Sequence, residues 1–248
     1  MANEHLSLSL VIPVFNEEDN LNALLEELTS VLRPLERSFE ILCVDDASTD
    51  RSLQVLRELR ARYPELRVLR HRVNSGESAA QASGFTCARG EIIVTMDADL
   101  QNDPHDIPAL LEALRPGVAA VAGVRRQRLD DTTRRLSSRI ANGFRNWVTG
   151  DRVADAGCTF RALRRSAVGE LPVFNGLHRF IPTLLRRQGY QVVELLVNHR
   201  PRTRGQSKYG VGNRLWRGLR DCFGIRWFSA RAVRGDRLLP EDADSRSG

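Results

Sequence analysis

Residues 90–104 have the sequence GEIIVTMDADLQNDP, in which a run of apolar, mostly β-branched residues ends at an acidic pair. Such a run is typical of a buried strand, predicted here over residues 91–97. Asp97 and Asp99 lie two positions apart, so both carboxylates can point into a crevice at the end of the strand. The stretch therefore predicts one strand of a sheet, with a polar site where that strand ends.

The same pattern repeats on both sides of this stretch. Strands are predicted at 6–15, 39–46, 66–71 and 117–124, and they alternate with helices at 18–33, 50–62, 77–88 and 105–114. This alternation is typical of an α/β fold with a mostly parallel central sheet and helices on both faces. Ligands of such sheets bind beyond the carboxyl ends of the strands. Polar clusters fall at those ends, at 16–17, 45–46, 74–76 and 97–99.

The pattern changes after residue 124. The elements predicted there are an Arg-rich amphipathic helix (125–149), a strand (157–163), a helix (178–188), a strand (190–199), a basic loop (200–212) and an amphipathic segment (213–228). Residues 229–248 carry few apolar groups and many charges, so we expect a polar, disordered tail. Since the sequence shows no internal repeat and no Pro- or Ser-rich linker, it predicts one domain over residues 1–228.

The charge of the chain is divided unevenly along its length. Of 248 residues, 42% are hydrophobic, which is enough for a sizeable core, and the net charge is +6. Residues 1–114 hold 10 basic and 20 acidic side chains, whereas residues 115–237 hold 26 basic and 8 acidic ones. A basic half of this kind predicts an anionic partner, namely nucleic acid, a phosphorylated substrate or an anionic membrane surface.

Several classes of protein are disfavoured by what the sequence lacks. The four cysteines are far apart, with no CxxC and no metal-type Cys/His spacing, which favours reduced thiols in the cytoplasm over a disulfide framework or a zinc module. The longest stretches without charge are eleven residues, whereas a spanning helix needs about 20. The N-terminus lacks the basic region of a signal peptide. Missing GxGxxG and GxxxxGK[ST] motifs argue against dinucleotide oxidoreductases and P-loop NTPases.

The acidic clusters are the first candidates for chemistry. Asp97 and Asp99, with Gln101 as a neutral oxygen ligand, suit Mg²⁺ or Mn²⁺, which usually share their coordination shell with substrate phosphates. The alternative is a solvated Asp-rich turn. Asp46, at the end of the second predicted strand, can accept hydrogen bonds from a nucleobase. The alternative there is capping of the next helix, which we assign to Asp50.

Six stretches together resemble family 2 glycosyltransferases. They are IPVFNEEDNL (12–21), ILCVDDASTD (41–50), NSGESAAQASGF (74–85), GEIIVTMDADLQNDP (90–104), DAGCTFRA (155–162) and HRPRTRGQSKYG (199–210). Within that family they look like the branch that charges a polyprenyl phosphate with a sugar, such as the dolichyl- or undecaprenyl-phosphate mannosyl-, glucosyl- and aminoarabinosyl-type transferases. The resemblance covers residues 6–228.

The resemblance implies a GT-A fold, the Rossmann-like fold of nucleotide-diphospho-sugar transferases. Residues 6–124 would form its nucleotide-sugar-binding half and residues 125–228 its acceptor-binding half. The implied nucleotide-sugar contacts are Pro13, Phe15, Asn16, Glu17, Asp46, Gly76, Asp97 and Ala98. Asp99 and Gln101 would bind the divalent cation, Mg²⁺ or Mn²⁺, that bridges the diphosphate. Phe15 stands where the family often has Tyr, so the ring can pack there but offers no hydroxyl.

The implied reaction is an inverting, metal-dependent transfer of a hexose from GDP-mannose or a UDP-sugar to a polyprenyl phosphate. A lipid phosphate is already anionic, so it needs positioning more than a general base, and arginine forks suit that task. The resemblance assigns the acceptor phosphate to Arg125, Arg134, Ser138, Arg202, Ser207 and Lys208. It assigns the catalytic centre to Asp97, Asp99 and Asp155. Arg161 would anchor the motif around Asp155, with a purely structural salt bridge as the alternative.

The C-terminal segment suggests contact with a membrane. Many members of this branch continue into transmembrane helices, whereas this chain ends in an amphipathic segment and a polar tail. The segment combines arginines with Trp216, Phe223, Ile225, Trp227 and Phe228, a composition suited to the headgroup region of a bilayer. It predicts peripheral docking on the cytoplasmic face of the membrane, with a packed C-terminal helix as the alternative. A homo-oligomer or an integral membrane partner stays open.

Two other functions remain open at this point. One is a family 2 glycosyltransferase with a different acceptor, such as a glycan or another lipid. The other is an Arg-rich nucleic-acid-binding protein, which would explain the basic half. It would leave the ordered carboxylates of the acidic half unexplained, and the basic half has no recognition motif. We therefore expect no nucleic-acid partner.

Overall fold

A computed structural model describes residues 6–126, 142–169, 171–201 and 211–231. Within these residues seven strands form one sheet: β1 Leu8–Val14, β2 Phe39–Asp45, β3 Leu66–Arg70, β4 Ile92–Thr95, β5 Val118–Arg125, β6 Arg161–Arg164 and β7 Gln191–Val197. Their order across the sheet is β3-β2-β1-β4-β6-β5-β7. Every pair is parallel except those that β6 makes with β4 and β5. The predicted α/β fold with a mostly parallel sheet is confirmed.

The helices follow the predicted order. Those described are α1 Leu21–Leu32, α2 Ser52–Leu59, α3 Glu77–Cys87, α4 Ile107–Ala113, α5 142–149, α6 Arg165–Val168, α7 Ile181–Arg187 and α8 Val211–Arg231. The predicted helix over 125–149 is described only from 142, and Arg125 itself ends β5. Helix α8 continues to Arg231, three residues into the predicted tail. Within the described ranges no helix is long and apolar enough to cross a bilayer.

The sheet is buried on both faces. Along β1, Leu8, Leu10 and Ile12 belong to the cluster that contains the buried leucines of α1, whereas Val11 belongs to the cluster on the opposite face. Side chains alternate across a strand. A shift of the strand pairing by one residue would therefore move each apolar set to the opposite face of the sheet, away from the helices it packs against. This arrangement holds the carboxyl ends of the strands in register at one edge.

Helix α3 approaches the sheet closely at one glycine. A Cβ atom at Gly84 would lie 2.2 Å from the Cγ1 atom of Val11, which is far inside normal contact distance. The close approach explains why the sequence of this helix is rich in small residues. It also brings the N-terminal turn of α3 to the same edge at which β1 and β2 end.

The antiparallel strand β6 has the largest effect on the site. Its first residue, Arg161, lies beside Thr95 at the end of β4 and beside Ala122 of β5. Because β6 runs against its neighbours, the residues just before it lie beyond the carboxyl ends of those strands. The loop 155–160 is thereby placed next to the acidic pair that follows β4.

Candidate active site

Sharp turns mark the edge where the parallel strands end. Asn16, Ala47 and Leu100 have positive φ angles of 55°, 57° and 61° and follow β1, β2 and β4 respectively. A fourth such residue, Glu36, ends a 3₁₀ turn after α1. Left-handed backbone costs a non-glycine residue about 1 kcal/mol or more. Concentration of this strain at one edge indicates that the surrounding contacts hold these turns firmly.

The acidic pair after β4 lies at this edge. The hydroxyl of Thr159 donates to Oδ2 of Asp97 at 2.7 Å, and the backbone N–H of Gln101 donates to Oδ1 of Asp99 at 3.2 Å. Burial and the nearby charge of Asp99 raise the pKa of Asp97 to about 6, and the Thr159 hydrogen bond opposes that rise. A buried carboxylate next to a second carboxylate is stabilised in its charged form by a nearby cation. The donor set therefore fits a divalent metal ion.

Gln101 is held by the chain that leaves β7. Its side-chain Nε2 donates to the backbone carbonyl oxygen of Arg200 at 3.2 Å, and the backbone carbonyl oxygen of Gln101 accepts the N–H of Arg200 at 2.8 Å. Asn102 and His199 form an antiparallel bridge beside them. Because the amide nitrogen is engaged with backbone, the amide oxygen is the atom that Gln101 would offer to a metal.

A second acidic cluster, not anticipated from the sequence, lies close by. Ligand-type atoms of Glu27, Asp103 and His105 lie within 4.8 Å of one another. The guanidinium of Arg200 lies in the same cluster, 2.7 Å from Glu27 Oε1 and 2.7 Å from Asp103 Oδ1. A cation is thus already present between the two carboxylates. This cluster fits an ion-pair network better than a metal site.

Arg125 and Asp155 face one another across the edge. Arg125 Nε lies 2.7 Å from Asp155 Oδ2 and its Nη2 lies 2.8 Å from Oδ1, in a two-pronged pair whose side chains are each 14% exposed. The N–H of Gly157 also donates to Oδ1, at 3.2 Å. Burial lowers and the hydrogen bonds with Asp155 raise the pKa of Arg125, with a net rise. The predicted acceptor-side arginine and the predicted catalytic aspartate therefore form a pair.

Arg161 anchors the loop that carries Asp155. Its side chain is almost completely buried, and its guanidinium donates to the carbonyl oxygens of Cys158 at 2.5 Å and His178 at 2.6 Å. Burial lowers the pKa of this arginine. His178 itself contacts the hydroxyl of Ser78 in α3 through Nδ1 at 2.7 Å. Arg161 thus binds carbonyl oxygens, and the salt bridge of this motif, considered from the sequence for Asp155 and Arg161, is made by Arg125 instead.

Asp46 is surrounded by donors from its own chain. Its Oδ1 accepts the N–H of Ser75 at 2.8 Å, its Oδ2 accepts the N–H of Gly76 at 2.7 Å, and Nδ1 of His71 lies 2.7 Å from Oδ1. The φ of +88° at Gly76 explains the glycine there. These contacts fold the loop 74–76 onto the end of β2. Recognition of a nucleobase by Asp46 stays a prediction, because the observed contacts are all internal.

Asn16 joins the loops that follow β1 and β2. Its side chain accepts the N–H of Thr49 at 2.7 Å and donates to the Thr49 hydroxyl at 3.0 Å. Asp50 accepts the N–H of Ser52, the first residue of α2, at 2.9 Å through Oδ1, but the N-cap position predicted for Asp50 is occupied by Arg51. Next to Asn16, Glu17 accepts a hydrogen bond from Asn20 at 2.7 Å. The contacts of Asn16 are neutral hydrogen bonds, whereas Asp50 and Glu17 accept theirs through carboxylate oxygens.

The remaining predicted residues divide into two groups. Pro13 and Phe15 lie half-buried at the end of β1, and Ala98 is buried in the core beneath the acidic pair. Five predicted acceptor residues lie outside the described residues: Arg134, Ser138, Arg202, Ser207 and Lys208. Sequence reasoning missed Thr159, His178 and Arg200, because a threonine, a histidine and one arginine among many carry no local signal.

Comparison with protein families gives one match. The model of Glycosyl transferase family 2 matches residues 9–171. An undecaprenyl-phosphate 4-deoxy-4-formamido-L-arabinose transferase of Edwardsiella ictaluri is 38% identical over 206 residues, which are 82% of this chain and 63% of the relative. A dodecaprenyl-phosphate galacturonate synthase of Rhizobium johnstonii is 35% identical over 230 residues, 91% of this chain and 68% of the relative. The chain thus spans about two thirds of these proteins.

A solved structure has the same architecture. The mannosyltransferase of Pyrobaculum calidifontis in complex with GDP-mannose and Mn²⁺ superposes with a TM-score of 0.64 at 21% identity, over 93% of this chain and 66% of that one. At this identity the likeness concerns the fold alone. The sheet order, the helices on both faces and this likeness confirm the predicted GT-A fold.

Proposed function

Because the chain belongs to glycosyl transferase family 2, we propose that it transfers a sugar from a nucleoside diphosphate to a polyprenyl phosphate. One observation carries the proposal: Asp97 and Asp99 share one sheet edge with the paired Arg125 and Asp155, so acidic and basic groups lie near one another there. Relatives that match most of this chain are named for sugar transfer to undecaprenyl and dodecaprenyl phosphate, which supports the lipid acceptor over a glycan.

Asp99 and Gln101 would hold a Mg²⁺ or Mn²⁺ ion. The ion would neutralise negative charge on the leaving nucleoside diphosphate. Asp97, whose carboxylate accepts a hydrogen bond from Thr159, would orient the nucleotide sugar. Two side chains are thus assigned to the cation and one to the sugar.

The transfer itself would be a single displacement. An oxygen of the lipid phosphate forms a bond to the anomeric carbon while the bond from that carbon to the diphosphate breaks, and the electron pair leaves with the diphosphate. One such displacement inverts the configuration at the anomeric carbon. The attacking oxygen is already anionic, so no group of the protein has to remove a proton.

This chemistry gives Asp155 an orienting role. Both of its carboxylate oxygens accept hydrogen bonds from Arg125, which fixes the plane of that guanidinium. We propose that Asp155 presents Arg125 to the acceptor phosphate and does not act as a base. Pre-orientation of a planar fork lowers the entropy lost on binding an anion.

An aromatic surface on α5 and α8 supports contact with a bilayer. Trp147 and Trp227 are 75% and 61% exposed, and Phe223 and Phe228 are exposed as well. The ring of Phe144 lies 6.0 Å from that of Trp147 and 6.4 Å from that of Phe223, so the two helices share this surface.

The opposite side of α8 packs against the protein. Ile225 of the predicted membrane segment is only 4% exposed, and Cys222 is buried with it. Each of the two roles considered for this segment thus describes one side of the helix. We propose that the exposed aromatic side docks on the cytoplasmic face of an anionic membrane, where such rings are favoured at the headgroup level.

A transfer assay tests the proposed reaction. Purified protein would be incubated with Mn²⁺, undecaprenyl phosphate and a panel of UDP- and GDP-sugars that includes pentoses and uronic acids, with mass detection of the lipid product. We expect product with at least one donor, and loss of it by a factor of about 10³ in Asp99→Ala. Glu112→Ala, on the exposed side of α4, is the control. Wild-type turnover in Asp99→Ala, or transfer to a glycan instead of the lipid, would contradict the proposal.

Co-sedimentation with liposomes tests the membrane surface. At low salt we expect binding to anionic vesicles, with strong loss in the double variant Trp147→Ala/Trp227→Ala. Val173→Ala changes a residue that is 67% exposed elsewhere and should leave binding unchanged. Absence of wild-type binding would eliminate the membrane proposal. If the protein shifts short DNA duplexes in a gel but does not bind vesicles, the nucleic-acid alternative is favoured.

A further inference from the structure

The chain that leaves β7 is attached to the segment that carries the candidate metal ligands. The N–H of Asn198 donates to Asp106 Oδ2 at 2.6 Å, and its side-chain amide donates to Oδ1 at 3.1 Å. Two residues on, Arg200 exchanges backbone and amide hydrogen bonds with Gln101. Residues 198–200 therefore lie along residues 101–106 over their whole length.

The side chain of Arg200 adds a third element to this contact. Its two terminal nitrogens lie 2.7 and 3.0 Å from the carboxylate oxygens of Glu27 on α1, and one of them lies 2.7 Å from Asp103. Both carboxylates are less exposed than the arginine. A forked guanidinium between two partly buried carboxylates fixes direction as well as distance.

The segment held in this way contains a strained residue. Leu100 has a φ of 61° and lies between Asp99 and Gln101. A leucine stays in that conformation only when its surroundings outweigh the cost of the strain. The contacts of Gln101, Asn102 and Asp103 with the end of β7 are the contacts that follow it directly.

We propose that Arg200 is a positioning residue for the metal site. By joining Glu27, Asp103 and the backbone of Gln101, it sets where the Gln101 amide stands relative to the Asp99 carboxylate. The proposal deepens the proposed function and rests on the metal site assigned there. Arg200 contacts Glu27 and Asp103, so it acts through the ligand segment and is not itself a ligand.

Two interpretations of the acidic cluster predict opposite changes in metal affinity when the side chain of Arg200 is removed. If Arg200 positions Gln101 and Asp99, its loss weakens metal binding, and groups that orient metal ligands typically contribute about 10- to 100-fold in affinity. If Glu27, Asp103 and His105 were themselves a metal site, loss of the neighbouring positive charge would strengthen binding. The sign of the change separates the two.

The experiment measures Mn²⁺ binding to the full chain in the presence of UDP, by the loss of the free-Mn²⁺ electron paramagnetic resonance signal. Arg200→Gln, Arg200→Lys and Glu27→Gln are compared with the wild type. Arg33→Gln breaks a similar arginine pair with Glu65, 3.1 Å long and 52% exposed on the arginine side, and is the matched control. Thermal unfolding of each variant shows whether it folds.

We expect the Mn²⁺ dissociation constant to rise about tenfold in Arg200→Gln, with a smaller rise in Arg200→Lys and Glu27→Gln and none in Arg33→Gln. In the transfer assay the Mn²⁺ concentration for half-maximal rate should rise, while kcat at saturating Mn²⁺ stays near that of the wild type. Unchanged or tighter Mn²⁺ binding in Arg200 variants that fold would overturn the positioning role. If the wild type still transfers sugar in that case, the proposed function stands. A wild type that neither binds Mn²⁺ nor transfers sugar would overturn the proposed function as well.

Discussion

The loops after β1 and β2 differ from the segments around β5, β6 and β7 in what holds them. After β1 and β2, Asn16 and Asp46 bind neighbouring backbone N–H groups, a hydroxyl and the ring of His71. Around β5, β6 and β7, arginines form the contacts: Arg125 with Asp155, Arg161 with two carbonyls, and Arg200 with Glu27 and Asp103.

The difference changes the meaning of the basic half. Its charge predicts an anionic partner, yet several of its arginines are used inside the protein. Arg164 donates to the carbonyls of Leu114, Arg115 and Val118, and Arg145 donates to Thr183 and to the carbonyl of Arg179. Net charge along a sequence therefore overestimates the charge that is available to a ligand. Among the described residues, arginines engaged in this way are therefore poor candidates for an anionic partner, whereas Arg134, Arg202 and Lys208 lie outside the described residues and stay predictions.

The largest effect on stability is expected at Arg161, in the region around β5, β6 and β7. Arg161→Gln removes the donor of two buried carbonyls, each of which costs about 1–3 kcal/mol when left without a partner. We expect the free energy of unfolding to fall by about 3 kcal/mol in urea titration. Arg165→Gln changes the exposed first residue of α6 and should alter this free energy by less than about 0.5 kcal/mol. Equal changes in the free energy of unfolding for the two variants would contradict the distinction between internal and surface arginines.

Asp97→Asn should stabilise the metal-free protein while it abolishes transfer. The folded-state pKa of about 6 lies above the ordinary value of about 3.9. The folded state therefore binds the proton more tightly, and stability is lost as pH rises from about 4 through about 6. At pH 7.5 the variant should exceed the wild type by about 2 kcal/mol, and near pH 3.5 the two should agree. Urea titrations at both pH values measure this, and a difference independent of pH would refute the linkage.

A double-mutant cycle sharpens the role of the Arg125–Asp155 pair. If Asp155 acts only by orienting Arg125, then Asp155→Asn should lose no further activity once Arg125 is already Gln. For contacting charged residues we expect a coupling of about 1–3 kcal/mol in the free energy of unfolding. We expect a coupling of similar size in the activation free energy calculated from kcat. Independent, additive losses of activity would instead give Asp155 a direct catalytic role.

The smallest effect is expected in the loop after β1, at Asn16. Asn16→Gly keeps the left-handed turn but loses the hydrogen bonds to Thr49, whereas Asn16→Ala loses both. We expect unfolding free energies lower by about 1 kcal/mol for the glycine variant and about 2 kcal/mol for the alanine variant. High salt should not change these differences, because neutral hydrogen bonds are involved. A strong salt dependence would show that the two sides of the sheet are held alike.

Much of the first half was predictable from sequence. The strands β1 to β5 and the helices α1 to α4 lie within a few residues of their predicted positions, because burial imposes periods of two and 3.6 residues on the sequence. The clusters that end those strands were predicted at one edge, and Asp97, Asp99 and Asp46 do lie there. Pairings such as Thr159 with Asp97 were not predictable, because the partners are far apart in sequence.

The sequence by itself determined the α/β alternation, the acidic turn after β4 and the resemblance to family 2 glycosyltransferases, since each depends on residues that are neighbours along the chain. The tertiary structure decided the antiparallel direction of β6, the pairing of Arg125 with Asp155, and the attachment of Arg200 to the segment of Gln101. It also decided which side of α8 is buried. These features depend on how elements that are distant in sequence pack together. The local sequence around an arginine is the same whether the arginine binds a carboxylate of its own chain or is available to bind a phosphate.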